Sequence, residues 1–198
     1  MPCQAPYRTG TDIQGGGSGA DVGIDSLQPG LWVPAGAPFV QQLSLGLGVV
    51  NRGYFCRFVC PRALSISKIS FVLNVAATAD DPCQAGIYSA DGSTLLGASA
   101  QLTGLLNSAT GPKQASLLAP AQLSPNTLYY AVLSTGAVGG TAAQVVATSM
   151  SGFMPAAFGT TVPFLEQSVR DNVFPLPASV TAGFSQNAGA VPIMGLLT

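Results

Sequence analysis

From Leu31 onward the dominant spacing of apolar residues is two. Tyr54, Cys56, Phe58 and Cys60 share one parity, and Phe55, Arg57 and Val59 the other, which predicts a strand ended by Pro61. Leu64 and Ile66 alternate with Ser65 and Ser67. Ile69, Phe71, Leu73 and Val75 then alternate with Lys68, Ser70, Val72 and Asn74. The apolar parity changes between Ile66 and Ile69, so a β-bulge is expected near Ser67 and Lys68. Residues 83–88 read as a short strand. Asp91-Gly92, between it and Thr94-Leu95-Leu96, predicts a hairpin with a type I′ turn. Residues 101–112 read as a connection and 115–118 as a strand stopped by Pro120. Residues 123–126 form a turn into an apolar strand over 128–133. After a glycine turn at 136–140, residues 144–148 and 191–197 read as further strands. No window shows a helical period of useful length, and there are no heptads. Short strands punctuated by 24 Gly and 15 Pro predict an all-β sandwich or barrel.

Residues 1–30 break this pattern. They hold Gly10, Gly15, Gly16, Gly17, Gly19, Gly23 and Gly30 with Pro2, Pro6 and Pro29, and their apolar residues are sparse and aperiodic. Such a segment does not fold alone. Fully extended, 30 residues reach about 100 Å. The expectation is an N-terminal arm over 1–30 that lies on a neighbouring subunit, or else folds back on its own domain, ahead of a β-domain over 31–198.

Charge changes the picture most. Only 15 of 198 residues are ionised, seven Lys or Arg and eight Asp or Glu, where average usage gives about 50. A compact monomer of 19.9 kDa exposes roughly 8,700 Å². That leaves one charge per about 580 Å², against about 175 Å² for average composition. Such a surface suits a subunit covered by its neighbours better than a free monomer. The net charge of −1 offers no footprint for nucleic acid, and 47% hydrophobic residues exclude a disordered chain. No apolar run reaches the length of a membrane helix. Met1-Pro2-Cys3-Gln4 has no basic start followed by an apolar stretch, so no export signal and a reducing compartment are expected.

The candidate chemistry is thin. With no histidine, the commonest general base and most metal ligands are missing. Cys56 and Cys60 in one strand have Cα atoms about 13 Å apart, too far for a disulfide. Zinc would need Cys3 to join three distant partners. Buried thiols are the expectation for the cysteines, with a bridge from Cys83 to Cys56 or Cys60 as the alternative. Asp80, Asp81 and Asp91 suit tight turns, or loop oxygens around Ca²⁺. A glycosidase would need Asp171, five residues on, as partner for Glu166, the sole glutamate, and nothing else singles that pair out; a surface pair of Glu166 with Arg170 or a contact between subunits is the expectation. Arg52, Arg57, Arg62 and Lys68 form a basic stripe for an acidic partner, or are outward strand positions in water. Trp32, Tyr54, Tyr88, Tyr129 and Tyr130 would make a sugar-stacking platform if exposed, and core if not. The run Gly15-Gly16-Gly17-Ser18-Gly19 lacks the Lys and the preceding strand of a phosphate loop. No cofactor or metal is expected, and no enzymatic activity.

Three stretches carry a family likeness: Leu64-Ser65-Ile66-Ser67-Lys68-Ile69-Ser70-Phe71; then Gly86-Ile87-Tyr88-Ser89-Ala90-Asp91-Gly92; then Leu123-Ser124-Pro125-Asn126-Thr127-Leu128-Tyr129-Tyr130. This resembles the jelly-roll domains of tailed-phage virion proteins, the capsid decoration (cement) proteins and tail fibres. The resemblance covers about a third of the chain, residues 64–133, and leaves 1–50 untouched. It implies a jelly-roll β-sandwich without catalytic residues. It also implies a virion structural subunit, a cement protein that clamps a shell non-covalently, or alternatively a tail or baseplate fibre that binds glycans. The implied partners are further copies of the chain, as a trimer, and a major capsid protein or another virion protein, with no nucleic acid and no membrane. The implied location is the virion. The side chains expected to meet a partner are Tyr7, Arg8 and Ile13 of the arm and Arg52, Arg57 and Arg62 of the stripe.

Overall fold

The computed structural model describes residues 31–32, 42–60, 62–148, 167–180, 185–186 and 191–198. Among them there is no helix. Thirteen strands follow in order: β1 Leu31–Trp32, β2 Gln42–Gly46, β3 Arg52–Cys60, β4 Leu64–Val75, β5 Cys83–Ser89, β6 Leu95–Ala98, β7 Gly111–Leu123, β8 Thr127–Thr135, β9 Gln144–Thr148, β10 Gln167–Arg170, β11 Ser185–Gln186, β12 Val191–Pro192 and β13 Met194–Leu197. They form two antiparallel sheets packed as a β-sandwich. The first sheet contains β7, β4, β9 and β2, with β13, β1 and β12 added; the second runs β11-β10-β3-β8-β5-β6.

The pairing of β2 to β9 is nested. β2 pairs β9, β3 pairs β8, β4 pairs β7 and β5 pairs β6. Strands β2–β5 therefore run out and β6–β9 run back beside them, as one long hairpin. Successive pairs fall in alternate sheets, because β4 also joins β9 and β5 also joins β8. The hairpin is rolled over on itself, and apolar residues of one parity meet in the middle. Tyr54, Phe58, Ile69, Phe71, Leu73, Ile87 and Leu133 are buried there.

The alternation in β3 and β4 holds as expected. The β4–β7 register jumps between Ile66↔Ala121 and Lys68↔Ser116, so the bulge lies where the parity changes. That keeps both Ile66 and Ile69 fully buried. Pro120 does not end β7, contrary to expectation. It falls among residues 117–120, which stand opposite Ser67 outside the ladder, so its missing N–H breaks no pairing. The same strand begins at Gly111, inside the expected connection.

The β5–β6 turn corrects the type I′ expectation. Gly92 N–H donates to Ser89 O at 2.9 Å, closing a turn over Ala90 and Asp91. Gly92 has φ +69, but among the described non-glycine residues only Asn51, Asn126 and Asn172 have positive φ. Type I′ needs positive φ at both central residues. This is instead a type I turn followed by a left-handed glycine.

One feature of the fold goes beyond alternation. Residues 171–180 cross the outer face of the second sheet. Beneath them Phe55, Tyr88, Tyr130 and Val132 form a second buried cluster with Val173, Leu176 and Val180, separate from the main core.

Candidate functional site

The basic stripe does not assemble. Arg52 stands at the start of β3 and binds Asp171 through one guanidinium edge in a bidentate pair, Nε to Oδ1 at 2.7 Å and Nη2 to Oδ2 at 3.1 Å. The bond to Asp171 raises the Arg52 pKa and draws the Asp171 carboxyl below its ordinary value. Arg57 has the opposite parity and pairs across to Tyr130 on the outer face of the second sheet. Its charge works against the burial that raises the Tyr130 pKa. Arg62 is exposed beyond the end of β3, and Lys68 is exposed on the other sheet. Strand parity and the sandwich thus send Arg52, Arg57 and Lys68 apart. Tyr7, Arg8 and Ile13, with the whole expected arm 1–30, lie outside the described residues.

The sugar-stacking platform does not form on the tyrosines named for it. Tyr54, Tyr88, Tyr129 and Tyr130 are 2%, 0%, 6% and 4% exposed. Tyr54 and Tyr129 face the main core, Tyr88 and Tyr130 the outer cluster. Three of the hydroxyls bond inside the protein: Tyr54 donates to Gly46 O at 3.2 Å, Tyr88 donates to Pro177 O at 2.6 Å, and Tyr129 accepts from Ser124 N–H at 2.8 Å. Burial raises the phenol pKa of Tyr88, with Arg170 opposing. The side chain of Trp32 lies outside the description.

The acidic residues are turn fasteners. Asp80 accepts a bond from Gly104 N–H, and Asp81 Oδ1 accepts from Gly139 N–H at 2.7 Å. These two tie the β4–β5 connection to the β6–β7 and β8–β9 connections at one end of the sandwich. Asp91 is at the other end of β5. Its Oδ1 accepts from Ser89 Oγ at 2.6 Å, Ser93 Oγ at 2.8 Å and Ser93 N–H at 3.0 Å. The bond from Ser89 leads the set that draws its pKa down to about 2. Among the described residues no group of three or more acids and thiols is placed to hold a metal ion. Glu166 lies outside the described residues, and Arg170, its expected partner, has a buried Nη1 without a hydrogen-bond partner.

Cys56, Cys60 and Cys83 are buried thiols in no disulfide. β8 lies between β3 and β5. A bridge from Cys83 to either β3 cysteine would therefore span two strand spacings, about 9.6 Å, which a disulfide cannot reach. Burial pushes the Cys83 thiol up to about 12.

The best-built site on the described surface is the seat under residues 171–180. Val173 N–H donates to Asn51 O at 2.9 Å and its carbonyl accepts from Ser134 Oγ at 3.0 Å. Leu176 N–H donates to Gln84 Oε1 at 2.9 Å. Leu95 N–H donates to Ala178 O at 2.9 Å, and Val180 N–H to Gly92 O at 2.7 Å. Two glycines admit the segment closely: a Cβ on Gly86 would lie 2.7 Å from Leu176 Cδ1, and one on Gly136 2.6 Å from the Phe174 ring. Alternation alone does not reveal the seat. Its signal is the loss of alternation in Tyr54-Phe55-Cys56 and in residues 129–133, where both faces of a strand are buried.

No protein-family model matches the chain, and no curated protein matches it.

Proposed function

We propose that the chain is a structural subunit of a tailed-phage virion, a capsid cement or decoration protein built on a jelly roll and working as a homotrimer on a major capsid protein. The nested strand order supports the jelly-roll reading, since a rolled eight-strand hairpin is what that name describes. The motifs behind the resemblance fall on its framework: residues 64–73 on β4, 86–92 at the β5–β6 turn and 123–130 at the β7–β8 turn.

The observation that carries the proposal is the poverty of solvated charge. Of 15 ionised residues, four are described acids; Asp81 is buried, Asp80, Asp91 and Asp171 are exposed, and all four accept bonds inside the chain, three in turns and Asp171 from Arg52. What remains outward is largely Ser, Gln, Asn and Ala, such as Ser65, Gln114, Ser116 and Gln122, with Leu118 at 77% and Val59 and Val50 at 51% exposure. Such a surface gains little from water and loses little when covered. Clamping would be non-covalent, at roughly 25 cal/mol per Å² of apolar area covered, with several contacts per oligomer adding through effective concentration.

The glycan-binding fibre reading has no specific support, because the four tyrosines that would stack sugar are buried. Sedimentation velocity of the purified chain, followed by co-sedimentation with expanded phage shells, tests the proposal. Oligomers that bind shells saturably are expected. A stable monomer that leaves shells bare would end it.

A further inference from the structure

The seat under residues 171–180 is made like a peptide-binding groove. Six hydrogen bonds hold the segment, and each uses one of its main-chain atoms: the N–H groups of Val173, Leu176 and Val180, and the carbonyls of Val173, Pro177 and Ala178. Only Val173, Leu176 and Val180 plug into the apolar floor. Just before them β10 adds to the edge of β3 through main-chain pairing. Main-chain bonds plus a few apolar plugs are how folded domains accept extended and proline-containing peptides. Nothing in this set requires groove and segment to belong to one molecule. The groove under residues 171–180 is walled off from the main core by the sheet, so it can empty without opening that core; of the exchanged residues, Val169 of β10 belongs to the core and is exchanged with its strand. The nested strands β2–β9 pair among themselves without it.

We propose that β10 and residues 171–180 dock either on their own chain or on a second copy, so that copies are joined by exchanging this segment. Exchange reproduces every contact in trans and needs no new surface, a low-cost route to an oligomer. The proposal rests on reading the chain as an assembling subunit.

The test uses the full chain with Cys3→Ser throughout. The bond from Leu95 N–H to Ala178 O places those residues side by side, close enough for a disulfide between cysteines there. Leu95→Cys and Ala178→Cys, mixed and mildly oxidised, should give roughly tenfold more covalent dimer than either alone. A mixture that stays monomeric while the double variant links within one chain overturns the exchange. A double variant that does not link overturns the seat itself. A second pair avoids cysteine. Arg52→Asp and Asp171→Arg each break their ion pair within a chain, and mixing restores it only between chains. Mixed samples should sediment faster than either variant alone, and identical profiles count against exchange. Shell binding by the wild type is read separately, so exchange can fail while the subunit reading stands.

Discussion

Asp91 fastens its turn with a single carboxylate oxygen that accepts three bonds from Ser89 and Ser93. Those bonds favour the ionised form and bring the pKa down to about 2. A carboxyl whose folded-state pKa is depressed stabilises the fold above its unfolded value, near 3.9, and loses that contribution as pH falls through the folded value. Asp91→Asn should therefore lower the melting temperature at pH 7, and the gap to wild type should close between about pH 4 and 2. Thermal denaturation across that range checks it. Beside it, Gly92 has φ +69, and a Cβ there would meet Val180 Cγ2 and Val180 O at 3.0 Å. Gly92→Val should cost about 1–2 kcal/mol for the left-handed backbone alone, with the clash added, and an unchanged melting temperature would refute this. Cys83, pushed up to about 12, stays a neutral thiol at pH 8. It should react slowly with a thiol reagent in the native protein and rapidly in denaturant. The sign at high pH is the reverse of that for Asp91. The unfolded thiol ionises from about 8.5 while the folded one does not, so stability should fall as pH rises above that value.

At the scale of elements, residues 171–180 act as a strap. Fully burying a valine or leucine is worth about 1.5–3 kcal/mol, and the strap buries three such side chains on a cluster of its own. Leu176→Ala should cost about 2 kcal/mol, the low end for such truncations, because Leu176 keeps 9% exposure. Urea denaturation with an unchanged m-value checks this; a much larger loss would mean that the strap also supports the main core. Arg52–Asp171 at the strap's entry is a surface pair, screened by water, and adds little. Elements were legible where one face met the core and the other met water. The parity of Tyr54 to Cys60 and the slip between Ile66 and Ile69 placed β3, β4 and the bulge. They were not legible where a second layer covered the outer face. Phe55 has the outward parity of β3 and does point out of the sandwich, but the strap makes it fully buried. Pro120 misled for a related reason: proline stops a strand only where the ladder needs its N–H.

For the molecule as a whole, the nested hairpin joins β2 to β9 and β3 to β8 across most of the sequence. Few such contacts are local, so folding should fall in the milliseconds-to-seconds range of non-local β-proteins. Stopped-flow refolding would show it, and microsecond folding would contradict it. The pairing of β2 to β9 uses nothing before residue 42. Deleting residues 2–28 should therefore leave the far-UV spectrum and melting temperature close to wild type while weakening attachment to shells. Equal occupancy of wild-type and truncated protein on purified particles would remove the arm from the account.

Local physics settled a great deal before any fold was in view. A period of two, turn residues between strands and a lack of helical spacing determined an all-β chain, its principal strands and which parity of each faces inward. The charge count determined a surface with few ionised groups. Tertiary structure decided what depends on residues far apart in sequence. It placed β8 between the cysteines of β3 and β5, sent Arg57 and Lys68 to different sheets, and laid a proline-rich segment over tyrosines that would otherwise face solvent. Periodicity reports only whether a side chain points up or down from its own strand. Which strand lies beside it, and what lies above it, is set by the closure of the whole sandwich.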